Sequence, residues 1–157
     1  MLKLKRILYP TDFSQYSLTA LPFAVGLAQQ NNAQLFCLHV VELPREEYLR
    51  GDYMVPLNVP HVPEDKVLRT ARARMERFVT EHLFEMDKVT SRVLVGVPFA
   101  EIIRYARDQS IDLIVMGTHG HTGLAAMLLG SVAEKVVRKA PCAVLTVRDP
   151  QYKFEAP

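Results

Sequence analysis

The stretch from residue 117 to residue 131 has the residue types and spacing of an anion-binding loop. It reads GTHGHTGLAAMLLGS and carries three glycines in its first seven residues, each able to take a positive φ or to let the backbone approach a ligand. An apolar run, IDLIVM, precedes it, and a Ser-x-x-Glu pattern beginning at Ser131 is typical of a helix N-terminus. A loop that joins a strand to a helix N-terminus presents backbone N–H groups and a positive dipole end. This stretch therefore predicts a phosphate site.

The glycine pattern alone would also suit a plain connecting loop. Two widespread phosphate-binding fingerprints are missing: the turn after the first predicted strand reads YPTDFS rather than GxGxxG, and no GxxxxGK[ST] loop occurs. His119 and His121 alternate in the stretch, but it has no acidic or cysteine residue beside them, so we expect no metal ion bound by protein side chains. Cys37 and Cys142 lie far apart in apolar runs and are expected to be buried free thiols.

The rest of the chain alternates between short apolar runs and amphipathic helical patterns. The apolar runs predict strands at residues 5–10, 33–41, 88–95, 112–116 and 143–147. Four helices are predicted between them, beginning near residues 14–17, 63, 98 and 131, and Pro22 is expected to bend the first helix. Strands that alternate with helices require a parallel sheet covered on both faces. We therefore expect a Rossmann-like α/β fold whose five-stranded parallel sheet has the order 3-2-1-4-5.

Length and composition indicate one globular domain. The 157 residues suffice for a single core, and we expect the domain to cover residues 1–148, followed by a tail at 149–157. The formal net charge of +2 gives no reason to expect nucleic acid or an anionic membrane as a partner. The longest apolar run has six residues, far fewer than the roughly 18 of a membrane span, and the N-terminus lacks the apolar segment of a signal peptide. A cytoplasmic protein is expected.

Residues 42–62 show no helical or strand periodicity. Three prolines and a Gly-Asp pair exclude a long regular element there. A loop of about twenty residues is unusual inside a compact domain and is often a lid or a partner surface. We interpret this loop in the same way, with a protein partner of unknown identity.

The predicted strand order brings three separate stretches together. In an open α/β sheet, ligands bind at the carboxyl ends of the strands, where the strand order reverses. The first and fourth strands meet at that reversal, which puts residues 10–12 beside Met116 and Gly117. Val40, near the end of the second strand, then lies on the other side of the first strand.

Several motifs together resemble the ATP-binding branch of the universal stress protein family. Gly117 and Gly120, a gap of nine residues and then Gly130 with Ser131 are similar to its glycine signature. The similarity continues outside the loop, within residues 5–147, in the segments ILYPTDFS, LHV, GVP, DLIVMGTHG, LLGSVAEKVV and PCAVLTV.

The resemblance implies a role toward ATP for each matching residue. Asp12 would accept hydrogen bonds from the ribose hydroxyls or from adenine. Pro10 and Thr11 would shape the base pocket, where Val40 would pack on adenine and Met116 would line the crevice. The donors that hold the phosphates would come from Gly117, His119, Gly120, Gly130, Ser131 and Val132. A magnesium or manganese ion carried by the phosphates would suit such a site.

Three of these residues also have purely structural interpretations, which stay open at this point. Asp12 could cap the first helix, Val40 could belong to the core whether or not a ligand binds, and Ser131 could act as an N-cap.

The resemblance further implies a homodimer with a regulatory function. The fifth strand is an edge in the expected order, and pairing across a two-fold axis would cover its apolar sequence AVLTV. We expect a nucleotide-responsive binding module in the stress response. Two alternatives stay open: a slow ATP hydrolase or phosphotransferase, with His119 as the one candidate general base and otherwise unknown catalytic residues, and a structural stress protein without nucleotide.

Overall fold

The computed structural model describes residues 3–42, 64–119 and 129–150. The sheet is formed by strands β1 (Arg6–Pro10), β2 (Gln34–Val41), β3 (Val89–Val95), β4 (Leu113–Gly117) and β5 (Ala143–Val147). They pair in the order β3-β2-β1-β4-β5, and all neighbouring strands are parallel. This confirms the predicted α/β fold and strand order, and each strand begins within one residue of its predicted start.

Helices cover both faces of this sheet. They are α1 (Gln15–Leu18), α2 (Leu21–Asn31), α3 (Glu64–His82), α4 (Pro98–Asp108) and α5 (Ser131–Lys139). Side chains alternate along each strand, so Tyr9 packs in one buried cluster with Phe78 of α3, while its neighbour Leu8 packs in another with Ile102 of α4 and Val136 of α5. We call these two sides the α2/α3 face and the α4/α5 face.

The first predicted helix is interrupted, so the prediction of four helices is wrong for the part of the chain that the structure describes. Helix α1 ends at Leu18, and α2 starts at Leu21 with Pro22 in its first two positions. A proline has no N–H to donate, and the first N–H groups of a helix have no intrahelical acceptor, so Pro22 suits a helix start better than a bend. Asn32, in the left-handed conformation with φ 53°, ends α2.

The register of the two central strands is fixed at their amino ends. The Oδ2 atom of Asp112, just before β4, accepts hydrogen bonds from the backbone N–H groups of Lys5 (2.7 Å) and Arg6 (2.9 Å). Ile7 then pairs with Leu113. The carboxyl ends of β1 and β4 are therefore held side by side at the other end of the strands.

Two expectations fall outside these observations. The predicted loop at 42–62 lies outside the described residues except for Glu42, and the boundary between a domain at 1–148 and a tail stays a prediction. Among the described residues, no helix is both long enough and apolar enough to cross a membrane.

Candidate functional site

The carboxyl ends of β2, β1 and β4 bring together residues that are far apart in the chain. Pro10 is the last residue of β1, Gly117 is the last of β4, and Val40 is the next to last of β2. Met116 and Val40 both belong to the α4/α5 face, and Pro10 shares that face because it follows Leu8 by two residues. Three of the four residues that were expected to surround a base, Pro10, Val40 and Met116, thus lie on one side of the sheet.

Apolar side chains that the sequence did not single out border the same edge. Leu94 pairs across the strands with Val40, and Phe99 lies in the first turn of α4. Leu94, Phe99 and Leu129 are partly buried and pack against the cluster that contains Met116. Only the strand order revealed their position, because their spacing in the sequence is that of ordinary core residues.

Thr11 is fixed in the turn that follows β1. Its backbone N–H donates to the Leu38 carbonyl (2.9 Å), its Oγ1 accepts from the Phe13 N–H (3.0 Å), and the same Oγ1 shares a hydrogen bond with Ser17 Oγ (3.0 Å). The residue is only 6% exposed. Its side chain therefore shapes the turn and stays below the surface.

Asp12 holds the residue that caps the first helix and does not cap that helix itself. Its Oδ1 accepts hydrogen bonds from the Ser14 N–H (3.0 Å) and the Ser14 hydroxyl (2.6 Å). Ser14 is the N-cap of α1, where its Oγ accepts from the Ser17 N–H (3.2 Å). A carboxylate has two oxygens and about four acceptor positions, so this structural contact is compatible with a bond to a ligand hydroxyl.

Tyr9 anchors this turn from below. Its phenol donates to the Ser17 carbonyl (2.9 Å), and burial raises the pKa of Tyr9 to about 12, so the phenol keeps its proton at physiological pH. Within the described residues, every buried side-chain nitrogen and oxygen has a hydrogen-bond partner. The turn that carries Asp12 is thus held by hydrogen bonds within the protein.

Gly117 has a packing role in addition to the role expected toward phosphate. A Cβ atom on this residue would lie 2.6 Å from the Tyr16 carbonyl oxygen and 3.3 Å from that of His119. Helix α1 therefore approaches the end of β4 too closely for any side chain. The glycine allows α1 to contact the carboxyl end of β4 directly.

The two ends of the segment after β4 are joined by a short hydrogen bond. The Gly130 N–H donates to the Thr118 carbonyl (2.7 Å), and the Thr118 N–H donates to the Val147 carbonyl (3.0 Å). Thr118 is 4% exposed, and its Oγ1 shares a hydrogen bond with His119 Nδ1 (3.0 Å). Sequence reasoning missed Thr118, whose hydroxyl and position between Gly117 and His119 were its one signal. The predicted site residue Gly120 lies outside the described residues.

The predicted capping box at Ser131 is wrong. Gly130 is the N-cap of α5, with φ −68° and ψ 159°, and its carbonyl accepts from the Glu134 N–H (2.9 Å). The Glu134 carboxylate pairs with Arg138 one turn later (3.4 Å) instead of reaching back, and no side chain of the described residues caps the helix. Ser131 and Val132 then supply the first N–H groups of α5, which have no intrahelical acceptor.

The two cysteine thiols lie away from the carboxyl ends of the strands. Both cysteines are free. Cys37 is buried, as predicted, whereas Cys142 is only half-buried. Burial raises the pKa of both thiols, that of Cys37 to about 12. Over residues 3–42, 64–119 and 129–150, no group of three histidine, cysteine or acidic side chains could hold a metal ion, and His121 lies outside these ranges.

The arrangement suits a ligand that is apolar at one end and anionic at the other. Apolar side chains of the α4/α5 face lie at the carboxyl ends of β2 and β4, and Asp12 follows the carboxyl end of β1 between them. The N-terminus of α5, with its positive dipole end, follows the joined loop ends at Thr118 and Gly130. A planar base, a hydroxylated sugar and a phosphate chain have this sequence of chemical character.

Comparison with known proteins gives a consistent result over nearly the whole chain. A family model described as the universal stress protein family matches residues 3–148. Universal stress protein MJ0531 of Methanocaldococcus jannaschii is 35% identical over 153 residues, which cover 94% of this chain and 84% of the relative. Universal stress protein MJ0577 of the same organism is 34% identical over 154 residues, covering 92% and 94%.

Solved structures agree with these relatives. The structure of MJ0577 matches with a TM-score of 0.78 and 31% identity and covers 96% of this chain and 99% of that chain. A universal stress protein solved in complex with cAMP matches with a TM-score of 0.61 and 25% identity, covering 94% and 98%.

Proposed function

Because this chain belongs to the universal stress protein family, we propose that it binds ATP at the carboxyl edge of β2, β1 and β4 and acts as a nucleotide-responsive binding module. The observation that carries the proposal is the joining of the loop ends by the Gly130 N–H and the Thr118 carbonyl, next to the uncapped start of α5. This contact holds the first backbone N–H groups of α5 next to the end of β4. The relative solved with cAMP supports an adenine nucleotide as the ligand class.

Each part of the nucleotide has a proposed contact. Adenine packs in the crevice between Val40 and Met116, under Pro10 and Thr11, and the ribose hydroxyls donate to Asp12. The phosphates accept hydrogen bonds from five residues: Gly117, His119, Gly120, Ser131 and Val132. Since the Gly130 N–H already donates to Thr118, we assign Gly130 to the close approach of the backbone and to the shape of the clamp.

A divalent cation belongs to this proposal as part of the ligand. Magnesium or manganese binds phosphate oxygens and water readily and needs few protein ligands. We therefore propose that the nucleotide carries the cation into the site. We also propose a role in the stress response and a cytoplasmic location, because the chain belongs to this family.

We also propose that the protein is a homodimer paired through β5. Strand β5 pairs with β4 along its whole length and lies at the end of the strand order. Its residues Val144, Leu145 and Thr146 are only half-buried. Pairing with a second copy would satisfy the outward backbone groups and cover this apolar edge.

The direct experiment is to purify the protein, denature it and identify any released nucleotide by chromatography, followed by calorimetry with added ATP. Release of ATP, or its binding with a measurable dissociation constant, is expected. If no nucleotide is released and millimolar ATP produces no binding heat, the proposal fails. Measuring phosphate release with and without magnesium then distinguishes a binding module from a slow hydrolase.

Gly130→Val tests the phosphate end of the site. The φ and ψ of Gly130 are values that any residue adopts, so the variant is expected to fold with an unchanged circular dichroism spectrum. Its side chain would occupy the path of the phosphates, and ATP binding should be lost. A folded variant with unchanged affinity would refute the phosphate assignment.

A further inference from the structure

Asp12 lies between Thr11 and Phe13. Both neighbours are held by contacts on the α2/α3 face, opposite the proposed nucleotide site. Thr11, on one side, accepts at its carbonyl a hydrogen bond from His39 Nδ1 (2.8 Å), and a carbonyl can only accept, so Nδ1 carries the proton. Phe13, on the other side, packs against the buried cluster of the α2/α3 face. Val40, which is assigned to adenine, packs on the α4/α5 face.

Phe13 has an unusual backbone conformation. Its φ is +62°, in the left-handed region that bulky residues avoid because Cβ approaches the following carbonyl. Such strain persists where surrounding contacts enforce it, and it is concentrated at functional sites. Here it turns the Phe13 ring away from the crevice while Asp12 remains at the carboxyl edge.

The contacts that hold Phe13 come from β2 and α3. Its ring centroid lies 4.5 Å from that of His39 and 5.6 Å from that of Phe78, and the guanidinium carbon of Arg74 lies 4.7 Å above the ring. We call Phe13, His39, Arg74 and Phe78 the Phe13 stack. Two of its four members belong to α3, the helix that follows residues 43–63.

We propose that the Phe13 stack is a positioning unit that fixes the Asp12 carboxylate for the ribose and thereby couples nucleotide binding to the docking of α3. The inference rests on the proposed function of the edge as a nucleotide site. Its physical basis is that the stack holds the peptide groups on both sides of Asp12, so a change in how α3 packs changes where the carboxylate lies. Thermodynamic linkage makes the effect reciprocal: a ligand that needs Asp12 in place stabilises α3 against the sheet.

Arg74→Ala is the test variant, with Arg72→Ala as the matched control. Both arginines are exposed on α3, and the structure places Arg74 over the Phe13 ring. A cation over an aromatic ring at an exposed site has a modest energy, which corresponds to about a two- to fivefold weaker dissociation constant when it is removed. Arg74→Lys keeps a cation on the ring and is expected to restore most of the affinity.

The ligands are adenosine and ATP, each measured by calorimetry. A positioning unit that acts through Asp12 affects the ribose, so Arg74→Ala should weaken adenosine and ATP by the same factor, and Arg72→Ala should weaken neither. Hydrogen exchange gives an independent readout: adenosine should increase the protection of backbone amides in residues 71–82 of the unmodified protein, and Arg74→Ala should reduce that gain.

Four results would overturn the inference. A loss confined to ATP would make Arg74 a direct phosphate contact. Equal affinities of the Arg74→Ala and Arg72→Ala variants, or an unchanged exchange rate in α3 on ligand binding, would show that the stack is packing without coupling. Failure of the unmodified protein to bind either ligand would defeat the proposed function, and this inference with it, whereas the first three results leave that function intact.

Discussion

Gly117 and Gly26 differ in the space that is available for a side chain. At Gly117 an added methyl group would lie 2.6 Å from the Tyr16 carbonyl oxygen, and at Gly26, inside α2, it would meet no atom within 4 Å. Gly117→Ala should therefore destabilise the fold by about 1–3 kcal/mol, the usual cost of overpacking. Gly26→Ala should stabilise it by about 0.5–1 kcal/mol, because alanine favours the helix over the unfolded chain.

Urea unfolding of both variants without ligand measures this difference. The sign is what matters: a Gly117→Ala variant as stable as the unmodified protein would mean that α1 can move away from β4, and that the glycine serves a ligand alone.

Tyr9 predicts a specific loss of stability at alkaline pH. An unfolded tyrosine loses its proton near pH 10, whereas burial raises the pKa of Tyr9 in the folded protein to about 12. Between these values the unfolded state binds fewer protons, so the free energy of unfolding falls as the pH rises. Between pH 9 and pH 11, the free energy of unfolding should therefore fall by about 1 kcal/mol less in Tyr9→Phe than in the unmodified protein.

Cys37, whose pKa is raised in the same direction, is present in both proteins and cancels in the comparison. Chemical unfolding at several pH values gives the two slopes. At neutral pH the variant should be less stable by roughly 0.5–1.5 kcal/mol, because the Ser17 carbonyl loses the phenol donor and keeps the Ala20 N–H (3.2 Å). Parallel alkaline slopes would contradict the assignment to Tyr9.

At the scale of the elements, two serines at helix starts predict different effects. Ser14 caps α1 and donates to Asp12, whereas Ser131 is the exposed first residue of α5 and makes no capping bond within the described residues. Ser14→Ala should cost about 1–2 kcal/mol of stability. Ser131→Ala should change it by less than about 0.5 kcal/mol. Thermal unfolding of the two variants side by side distinguishes them, and equal losses would restore Ser131 as a structural cap.

The sequence predicted the elements better than the contacts between them. Periodicity and proline positions were sufficient for five strands and for α4 with Pro98 at its start, because burial on one or both faces leaves a regular pattern. The same spacing made residues 14–31 look like one helix, since apolar periodicity continues across the break before Pro22.

The residues that hold the site in place had no such pattern. Nothing local marks Phe13 as left-handed, because its conformation is enforced by His39 and α3, which are distant in sequence. Ser131 followed a capping pattern, but α5 takes Gly130 as its N-cap, so Ser131 lies inside the helix. Strand order alone brought Leu94 beside Val40. The candidate ligand residues could be named from the sequence, and the supporting residues required the three-dimensional structure.

At the scale of the whole molecule, the direction of backbone groups along β5 predicts how a dimer can be broken. The Val147 carbonyl accepts from Thr118, so the backbone groups of Val147 face β4, and by alternation those of Thr146 face outward. Thr146→Pro removes an outward N–H without breaking the pairing with β4, which an edge strand tolerates. The variant should be a folded monomer, and Thr146→Ala should remain a dimer.

Size-exclusion chromatography with light scattering at micromolar concentration tests this prediction. A Thr146→Pro variant that stays dimeric would place the interface elsewhere, and a monomeric unmodified protein would remove the dimer from the proposal.

The hydrogen bond between Gly130 and Thr118 also bears on how such a molecule diversifies. A backbone hydrogen bond joins Thr118 to Gly130, so the end of β4 and the start of α5 are held together directly by the protein's own backbone. Closing a longer loop costs little, about 0.6 kcal/mol for each doubling of its length. Residues between Thr118 and Gly130 can therefore be inserted, deleted or replaced, by evolution or by design, to bind a different ligand while the rest of the fold stays the same.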